Sequence, residues 1–337
     1  MRILSIDGGG IRGLIPALVL AEIERRTRRP IAECFDLIAG TSTGGILACG
    51  LTTPDPIAGD RPRYAAAELV GLYEVEGPEI FARTLLRRVR TAWGALDERY
   101  ADTGLREALQ RRLGDVPLSG IVPGTEVLLT AYDLERRKAT LLRSARARRD
   151  PAHDFRLRDV AQATSAAPTY FEPALIRDVE GRSTYALIDG GVFATNPALV
   201  ALTDQLRDDR GRRTGGAGEP PERPVDLADV GVELLLSLGT GSSTRPIGYE
   251  DAKDWGALEW APRIVDVVFD GISDTTEFHC QRLLGQRYVR LQTTLQEASP
   301  GMDDASPENR AALRREAERL LDERSDEIDR VVAALTG

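Results

Sequence analysis

A serine between glycines stands where an apolar segment ends and a helical one begins. Ser42 is the central residue of 40–44, Gly-Thr-Ser-Thr-Gly, which follows the apolar run 35–39. That run has the length and composition of a buried strand, and residues 46–48 are typical of a helix start. A strand, Gly-x-Ser-x-Gly and a helix form the setting of a nucleophile elbow, in which glycines permit a tight turn that presents the serine oxygen. The same pattern also fits a glycine-rich turn whose serine only caps the helix.

A nucleophilic serine needs a base, and an aspartate at the end of a later strand is one candidate. Residues 185–188 predict a strand, which is followed by Asp189, Gly190 and Gly191. Because the carboxyl ends of parallel strands gather at one edge of an α/β sheet, we expect Asp189 to approach Ser42 there. Burial raises the pKa of a carboxyl group, so Asp189 can take the serine proton directly. A simple strand-ending turn is the alternative for this aspartate.

The histidines offer a second arrangement. The chain has only two of them, His153 and His279. The order Ser42, Asp189, His279 is that of an α/β-hydrolase triad, so a triad esterase is an alternative. His279 nevertheless lies within 262–284, a segment predicted to be mainly helical, whereas a triad histidine normally lies in a loop after the last strands.

A glycine-rich loop joins the first predicted strand to the first predicted helix. Residues 7–13 read Asp-Gly-Gly-Gly-Ile-Arg-Gly. Backbone N–H groups bared beside a helix N-terminus bind anions. If Ser42 is a nucleophile, that anion is the oxygen of the tetrahedral intermediate. The predicted donors to this oxyanion are the N–H groups of Gly8, Gly9, Gly10 and Thr43. Arg12 either holds a substrate phosphate or fixes the loop through an ion pair.

The same loop matches a dinucleotide-binding fingerprint. Gly8, Gly10 and Gly13 satisfy G-x-G-x-x-G, which also requires an acidic residue at the end of the second strand to hold the ribose. Asp36 lies at the start of that strand instead. This disfavours a dinucleotide cofactor but leaves a non-enzymatic, nucleotide-binding regulatory module as a further alternative.

Composition restricts the class of protein. The chain has 337 residues, a net charge of −9 and 42% hydrophobic residues. The negative charge argues against nucleic acid as a partner. We find no apolar run of about 18 residues and no signal peptide, so we expect no membrane-spanning helix. Three unpatterned cysteines are typical of reduced thiols in a cytoplasmic protein and indicate neither disulfides nor a metal site.

We expect one domain, residues 1–337, with a flexible surface excursion near 208–226 and a C-terminal helix at 307–335. Residues 78–93 predict an amphipathic helix with a basic side formed by Arg83, Arg87 and Arg90. Such a helix either packs on the core or lies at a lipid surface. The second interpretation gives a cytoplasmic protein with peripheral contact to the inner membrane.

Several of these motifs together resemble the patatin-like phospholipase family. They are residues 7–13, 40–44, 189–191 and 239–241, in that order. The segment 163–171 is also similar to the family, and its Tyr170 and Phe171 are apolar enough to line a substrate pocket. The resemblance extends from residue 3 to about residue 295.

The resemblance implies an α/β fold, a three-layer sandwich with a central, mainly parallel sheet. It implies a catalytic dyad of Ser42 as nucleophile and Asp189 as base, with the glycine loop as oxyanion hole. The implied reaction is hydrolysis of acyl esters in phospholipids or related lipids, with no metal or cofactor required. Within the family, the chain resembles bacterial stand-alone members, some of which act in antiphage defence. That similarity implies a cyclic nucleotide or cyclic dinucleotide as activator, and we also expect a homo-oligomer.

Overall fold

The computed structural model describes residues 1–80, 103–205, 231–242 and 246–337. Within these ranges, eight strands form one mixed sheet. Seven of them follow the order β5-β6-β3-β2-β1-β7-β8, and β4 pairs with the other side of β3. The strands are β1 (Arg2–Ile6), β2 (Leu37–Gly40), β3 (Glu126–Asp133), β4 (Lys138–Arg143), β5 (Ala174–Arg177), β6 (Thr184–Asp189), β7 (Leu234–Leu238) and β8 (Tyr288–Leu291). The central strands β3, β2, β1, β7 and β8 pair in parallel, and β4, β5 and β6 form antiparallel pairs.

Helices lie on both faces of the sheet. We number the described α-helices α1 (Leu14–Thr27), α2 (Ile31–Cys34), α3 (Thr43–Thr52), α4 (Ala66–Gly71), α5 (Thr103–Leu113), α6 (Ser144–Ala147), α7 (Leu157–Thr164), α8 (Gly191–Ala194), α9 (Ala198–Asp204), α10 (Tyr249–Ala252), α11 (Ala257–Leu284), α12 (Pro307–Glu323) and α13 (Ser325–Thr336). A π-helical turn, Leu72–Glu76, continues α4.

Alternation along the central strands creates two cores. In β1, Leu4 and Ile6 point to the face covered by α1, α3, α7 and α12, whereas Ile3 points to the face covered by α9 and α11. Successive side chains of a strand leave opposite faces of a sheet, so a strand covered on both sides is apolar throughout. The predicted three-layer α/β sandwich with a mainly parallel centre is therefore confirmed.

The prediction of one C-terminal helix at 307–335 is wrong in its continuity. The segment forms α12 and α13, which are separated at Arg324 (φ −112°, ψ 21°). The break redirects the chain so that Ile328, Val331 and Leu335 of α13 are buried in the core. The first residue of β1 secures the end of α13, because the Arg2 side chain donates a hydrogen bond to the Leu335 carbonyl at 3.0 Å.

Two other predicted segments lie outside the described residues. They are the excursion at 208–226 and most of the basic helix at 78–93. No helix in the described ranges has both the length and the apolar character that crossing a bilayer requires.

Candidate active site

The ends of β2 and β6 meet beside β3. Gly40, the last residue of β2, pairs with Leu129 of β3, and Asp189, the last residue of β6, pairs with Ala131. At both of these positions β4 pairs with one side of β3. The other side is therefore the one that β2 and β6 share. The two strands run towards each other, and their ends are two residues, or about 7 Å, apart along β3. Sequence reasoning predicted that Asp189 would approach Ser42, but its route through parallel strands was wrong, because β6 is antiparallel.

The backbone at Ser42 has a rare conformation. Its φ is 55° and its ψ is −124°, values that cost free energy for any residue with a side chain. Close packing explains why glycines surround it. A Cβ on Gly44 would clash with the Ile6 carbonyl, and one on Gly40 would clash with Gly44. The turn therefore holds the first residues of α3 tightly against β1, and Ser42 leaves the sheet in the manner of a nucleophile elbow.

Hydrogen bonds of buried threonine side chains hold this turn in place. The Ser42 N–H donates to Thr164 Oγ1 at 3.0 Å, and Thr164 Oγ1 donates to the Thr130 carbonyl at 2.7 Å. Thr41 Oγ1 lies 2.6 Å from Thr130 Oγ1 and donates to the Ala194 carbonyl at 2.6 Å. The network connects β2, β3, α7 and α8. Sequence reasoning missed it, although Thr164 lies within the small-residue segment 163–171.

Asp189 is a buried carboxylate beside Ser42. Its Oδ1 accepts a hydrogen bond from the Gly191 N–H at 2.7 Å. Burial raises the pKa of Asp189, and hydrogen bonds to the Ser42 hydroxyl and to the Gly191 N–H lower it in part. The net effect is a pKa raised from 3.8 to about 7. Oδ2 is buried and has no partner of its own within normal hydrogen-bond geometry among the described residues. The contact with Ser42 is thus loose, as is common for catalytic hydrogen bonds before substrate binds.

The glycine loop supplies a smaller set of anion donors than the sequence predicted. The Gly8 N–H donates to the Thr195 carbonyl at 3.0 Å, which removes Gly8 from the predicted donors. Across the described ranges, the N–H groups of Gly9, Gly10 and Thr43 donate to no protein acceptor. Gly10 and Thr43 also line the same pocket as Ser42. The Thr240 hydroxyl also fixes the loop, because it donates a hydrogen bond to the Gly8 carbonyl at 2.7 Å.

Arg12 braces the loop. Its guanidinium donates to the carbonyls of Gly9 at 3.4 Å and Gly241 at 3.3 Å. It is not among the residues that line the pocket. Of the two roles considered for Arg12, fixing the loop is the one that this geometry fits.

A buried ion pair fixes the residue that precedes the loop. Arg290 Nη2 lies 2.6 Å from Asp7 Oδ2, and both side chains are buried. Arg290 also donates to Ser237 Oγ at 2.8 Å. The pair connects β8 with the end of β1 across the intervening β7, so the loop starts from a rigid point.

Ser42 and Asp189 open into one mostly apolar pocket. Tyr170 and Phe171 line it, at the position predicted for them, and their part in substrate binding stays a prediction. Its other apolar walls include Ile46, Leu72, Tyr73, Leu105, Phe269 and Met302. Tyr73 lies in the π-helical turn, where its hydroxyl is 2.6 Å from Thr43 Oγ1. Such turns are frequent at functional sites.

Neither histidine reaches this pocket. His279 is exposed on α11, ten residues beyond Phe269, which corresponds to about 15 Å along the helix. His153 lies elsewhere, with its Nδ1 2.7 Å from Asp150. The triad arrangement of Ser42, Asp189 and His279 is therefore not formed.

The dinucleotide alternative also loses its structural basis. A Cβ on Gly9 would clash with Thr240, and one on Gly13 would clash with Thr43 and Tyr73, so protein atoms fill the space around the loop. Asp36 accepts a hydrogen bond from the Arg2 N–H at 2.6 Å, at the far end of β2. Within the described chain, no group of three or more His, Cys, Asp or Glu residues could hold a metal ion.

Comparisons with known proteins show what the whole chain is similar to. The family model for patatin-like phospholipases matches residues 4–202. The chain is 34% identical to Patatin-like protein 2 of Arabidopsis thaliana, with 95% of this chain and 83% of that protein covered. It is 32% identical to Patatin-like protein 4 of the same plant, covering 96% and 83%. It is 31% identical to Patatin-04/09 of Solanum tuberosum, covering 95% and 83%.

Proposed function

The chain belongs to the patatin-like phospholipase family and is a lipid acyl hydrolase, and we propose that it cleaves fatty-acyl esters of membrane phospholipids through a dyad of Ser42 and Asp189. The observation that carries the proposal is the convergence of these two residues. A serine in an elbow turn faces a buried carboxylate whose pKa is about 7, inside an apolar pocket. A general base is most effective when its pKa lies near the working pH.

In the proposed acylation step, Ser42 Oγ attacks the ester carbonyl carbon while its proton passes to Asp189. The carbonyl oxygen becomes an oxyanion, for which the N–H groups of Gly9, Gly10 and Thr43 are the proposed donors. One such donor is typically worth roughly 2.7–4 kcal/mol of transition-state stabilisation. When the intermediate collapses, Asp189 returns the proton to the departing alcohol oxygen, which leaves an acyl-enzyme on Ser42.

In the proposed deacylation step, water takes the place of the alcohol. Asp189 accepts a proton from the water as its oxygen attacks the acyl carbonyl, and Ser42 then leaves with that proton. The same carboxylate thus acts as base in both half-reactions. The apolar walls around Tyr170, Phe171 and Phe269 suit a fatty-acyl chain.

Fatty-acid release from phosphatidylcholine vesicles tests this proposal. We expect Ser42→Ala and Asp189→Asn to lose nearly all release. Ser183→Ala and Asp60→Asn change the same residue types at a half-buried and an exposed position, respectively, and should retain it. Because His279 lies far from Ser42, His279→Ala should also retain it, whereas loss in that variant would favour the triad esterase. Release that survives Ser42→Ala would refute the proposed chemistry.

We also propose activation by a cyclic nucleotide, and one cleft in the described part of the chain suits such a ligand. Its walls include Arg136, Lys138, Arg143 and Arg146, together with Phe155 and Tyr185. Arg136 is paired with Asp133 at 2.7 Å, and Arg143 is paired with Asp204 at 2.6 Å. Lys138 and Arg146 have no ion-pair partner in the described ranges, so they are the cations available to a phosphate.

Calorimetric titration with a panel of cyclic mono- and dinucleotides tests this second proposal. Binding of one nucleotide should raise fatty-acid release, and Lys138→Ala combined with Arg146→Ala should weaken that binding at least tenfold. Light scattering during the titration reports whether the nucleotide assembles homo-oligomers. Full activity without any nucleotide and no binding across the panel would refute it. Binding that survives Ser42→Ala, with no hydrolysis by the wild type, would favour the regulatory-module alternative.

A further inference from the structure

The hydroxyl of Tyr73 lies against the residue that follows the candidate nucleophile. Its oxygen is 2.6 Å from Thr43 Oγ1, and it also donates to the Thr43 carbonyl at 3.3 Å. In the described part of the chain, both hydrogen-bond contacts of this hydroxyl therefore go to one residue. Tyr73 is 2% exposed, so both contacts form away from water.

Thr43 shares a peptide group with Ser42, whose backbone conformation is strained. A φ of 55° with a ψ of −124° persists only where the surrounding structure imposes it. On one side of this residue, Thr164 accepts the Ser42 N–H at 3.0 Å. On the other side, Tyr73 holds Thr43. A rotation about the Ser42 ψ that relieved the strain would turn the Thr43 N–H, and the two contacts of Tyr73 oppose that rotation.

The pair formed by Tyr73 and Thr43 also contacts the end of the glycine loop. A Cβ on Gly13 would clash with Thr43 Oγ1 and with the Tyr73 hydroxyl, so a side chain at this position would displace one of them. The loop that carries Gly9 and Gly10 thus ends against the same two hydroxyl groups. The Tyr73 hydroxyl therefore lies where the two parts of the proposed oxyanion hole meet.

Tyr73 is itself fixed by the π-helical turn that contains it. Arg314 of α12 donates to Glu74 Oε1 at 3.0 Å, and Arg112 of α5 donates to Glu76 Oε1 at 2.8 Å. Two different helices thus anchor the turn through ion pairs with residues close to Tyr73. Because the fold fixes the turn in this way, the Tyr73 hydroxyl is in position before substrate binds.

We propose that Tyr73 is a positioning residue for the oxyanion hole. Its hydroxyl holds Thr43 so that the Thr43 N–H is directed at the oxygen that becomes negative when Ser42 attacks the ester. The inference rests on the proposed function, because it assigns Tyr73 a part in that reaction. Tyr73 does not itself donate to the oxyanion, since both contacts of its hydroxyl are made with Thr43. Misplacing a group at the reacting centre by about 1 Å can lower a rate about 100-fold.

Two matched substitutions each remove one tyrosine hydroxyl. Tyr73→Phe keeps the ring, which lines the pocket. Tyr64→Phe is the control, because the Tyr64 hydroxyl donates to the Arg112 carbonyl at 2.9 Å and Tyr64 is not among the described residues that line the pocket. On a soluble short-chain ester, Tyr73→Phe should lower kcat about tenfold or more and change KM less than about twofold. Tyr64→Phe should leave both values unchanged.

Substitutions at position 43 test whether Tyr73 acts through Thr43. Thr43→Val keeps the shape of the side chain but removes Oγ1, whereas Thr43→Ser keeps the hydroxyl. We expect Thr43→Val to lower kcat and to add little to the loss in a double variant with Tyr73→Phe. Thr43→Ser should retain most of kcat. Losses that combine in full in the double variant overturn the inference.

Binding of an alkyl trifluoromethyl ketone does not depend on turnover or on the fraction of folded enzyme. Ser42 Oγ adds to the ketone carbon, the serine proton passes to Asp189, and the ketone oxygen becomes an oxyanion in the proposed hole. By fluorine NMR, the dissociation constant should rise in Tyr73→Phe by about the same factor as kcat falls, and should not change in Tyr64→Phe.

The outcomes separate this inference from the proposed function. A dissociation constant that Tyr73→Phe leaves unchanged overturns the role of Tyr73, even where Ser42→Ala abolishes hydrolysis and the proposed function stands. If the wild type binds the ketone in a manner that depends on Tyr73 but releases no fatty acid from phospholipid, the proposed function fails and the positioning role stands. A wild type that forms no adduct overturns both.

Discussion

Thr164 accepts the backbone N–H of Ser42 through its side-chain oxygen at 3.0 Å, across 122 positions of sequence. The same hydroxyl donates to the carbonyl of Thr130, which lies between the β3 partners of Gly40 and Asp189. One side chain thus joins the strained serine turn to the strand that sets its distance from the aspartate. We regard Thr164 as a positioning residue.

Replacing Thr164 tests this positioning role. Thr164→Val keeps the side-chain volume but leaves the Ser42 N–H without its acceptor, so kcat should fall about 10- to 100-fold with little change in KM. The unsatisfied buried group should also lower the free energy of unfolding by about 1–3 kcal/mol. Thr164→Ser restores the hydroxyl and should recover most of kcat. Steady-state kinetics on a soluble ester measure both variants, and an unchanged kcat in Thr164→Val would contradict the role.

The activity should rise with pH through a single ionisation near neutrality. Asp189 acts as a base only when it is ionised, and its pKa is about 7. Therefore log kcat/KM should increase with a slope of one below pH 7 and level off above it. A pH profile on an uncharged soluble ester measures this dependence. A profile that stays flat from pH 5 to pH 9 would be inconsistent with Asp189 as the base.

Asp189→Asn should stabilise the protein at high pH. The folded-state pKa of Asp189 is raised, so its contribution to stability is fully present below about pH 4 and is lost as the pH rises towards 7. The amide removes that dependence and should add on the order of a few kcal/mol to the free energy of unfolding at pH 8. Asp60→Asn, at an exposed position, serves as control. Denaturant unfolding at pH 4.5 and pH 8 is the measurement, and an equal effect of Asp189→Asn at both would contradict the burial of a charged group.

Breaking the ion pair between Asp7 and Arg290 should destabilise the fold and the glycine loop together. Arg290→Met leaves the Asp7 carboxylate buried without its partner, which typically costs about 3–5 kcal/mol. Adding Asp7→Asn removes the uncompensated charge and should recover part of that loss. Denaturant titrations of both single variants and the double variant form the cycle. Additive losses would show that the two residues are not coupled.

Local patterns predicted the elements that hold the site, because their signals lie within a few residues. The elbow at 40–44 and the glycine loop at 7–13 both lie between a strand and a helix, as expected. Local patterns could not predict that β6 pairs antiparallel with β3. That pairing depends on which side of β3 the other strands leave free. The same applies to the contact between Asp7 and Arg290, which spans 283 positions.

Two further differences have physical causes that sequence patterns do not reveal. The helix break at Arg324 involves no glycine or proline and follows from the packing of α13 into the core. The loss of Gly8 as an anion donor depends on the Thr195 carbonyl, which the fold brings within 3.0 Å.

The central claim is that Asp189 activates Ser42, and covalent labelling tests it most directly. A fluorophosphonate ester reacts with an activated serine, and mass spectrometry of the digested protein identifies the labelled residue and its rate. We predict one label on Ser42 in the wild type, at an unchanged rate in His279→Ala and at a rate reduced at least 100-fold in Asp189→Asn. A label on another residue, or wild-type labelling of Ser42 in Asp189→Asn, would contradict the dyad.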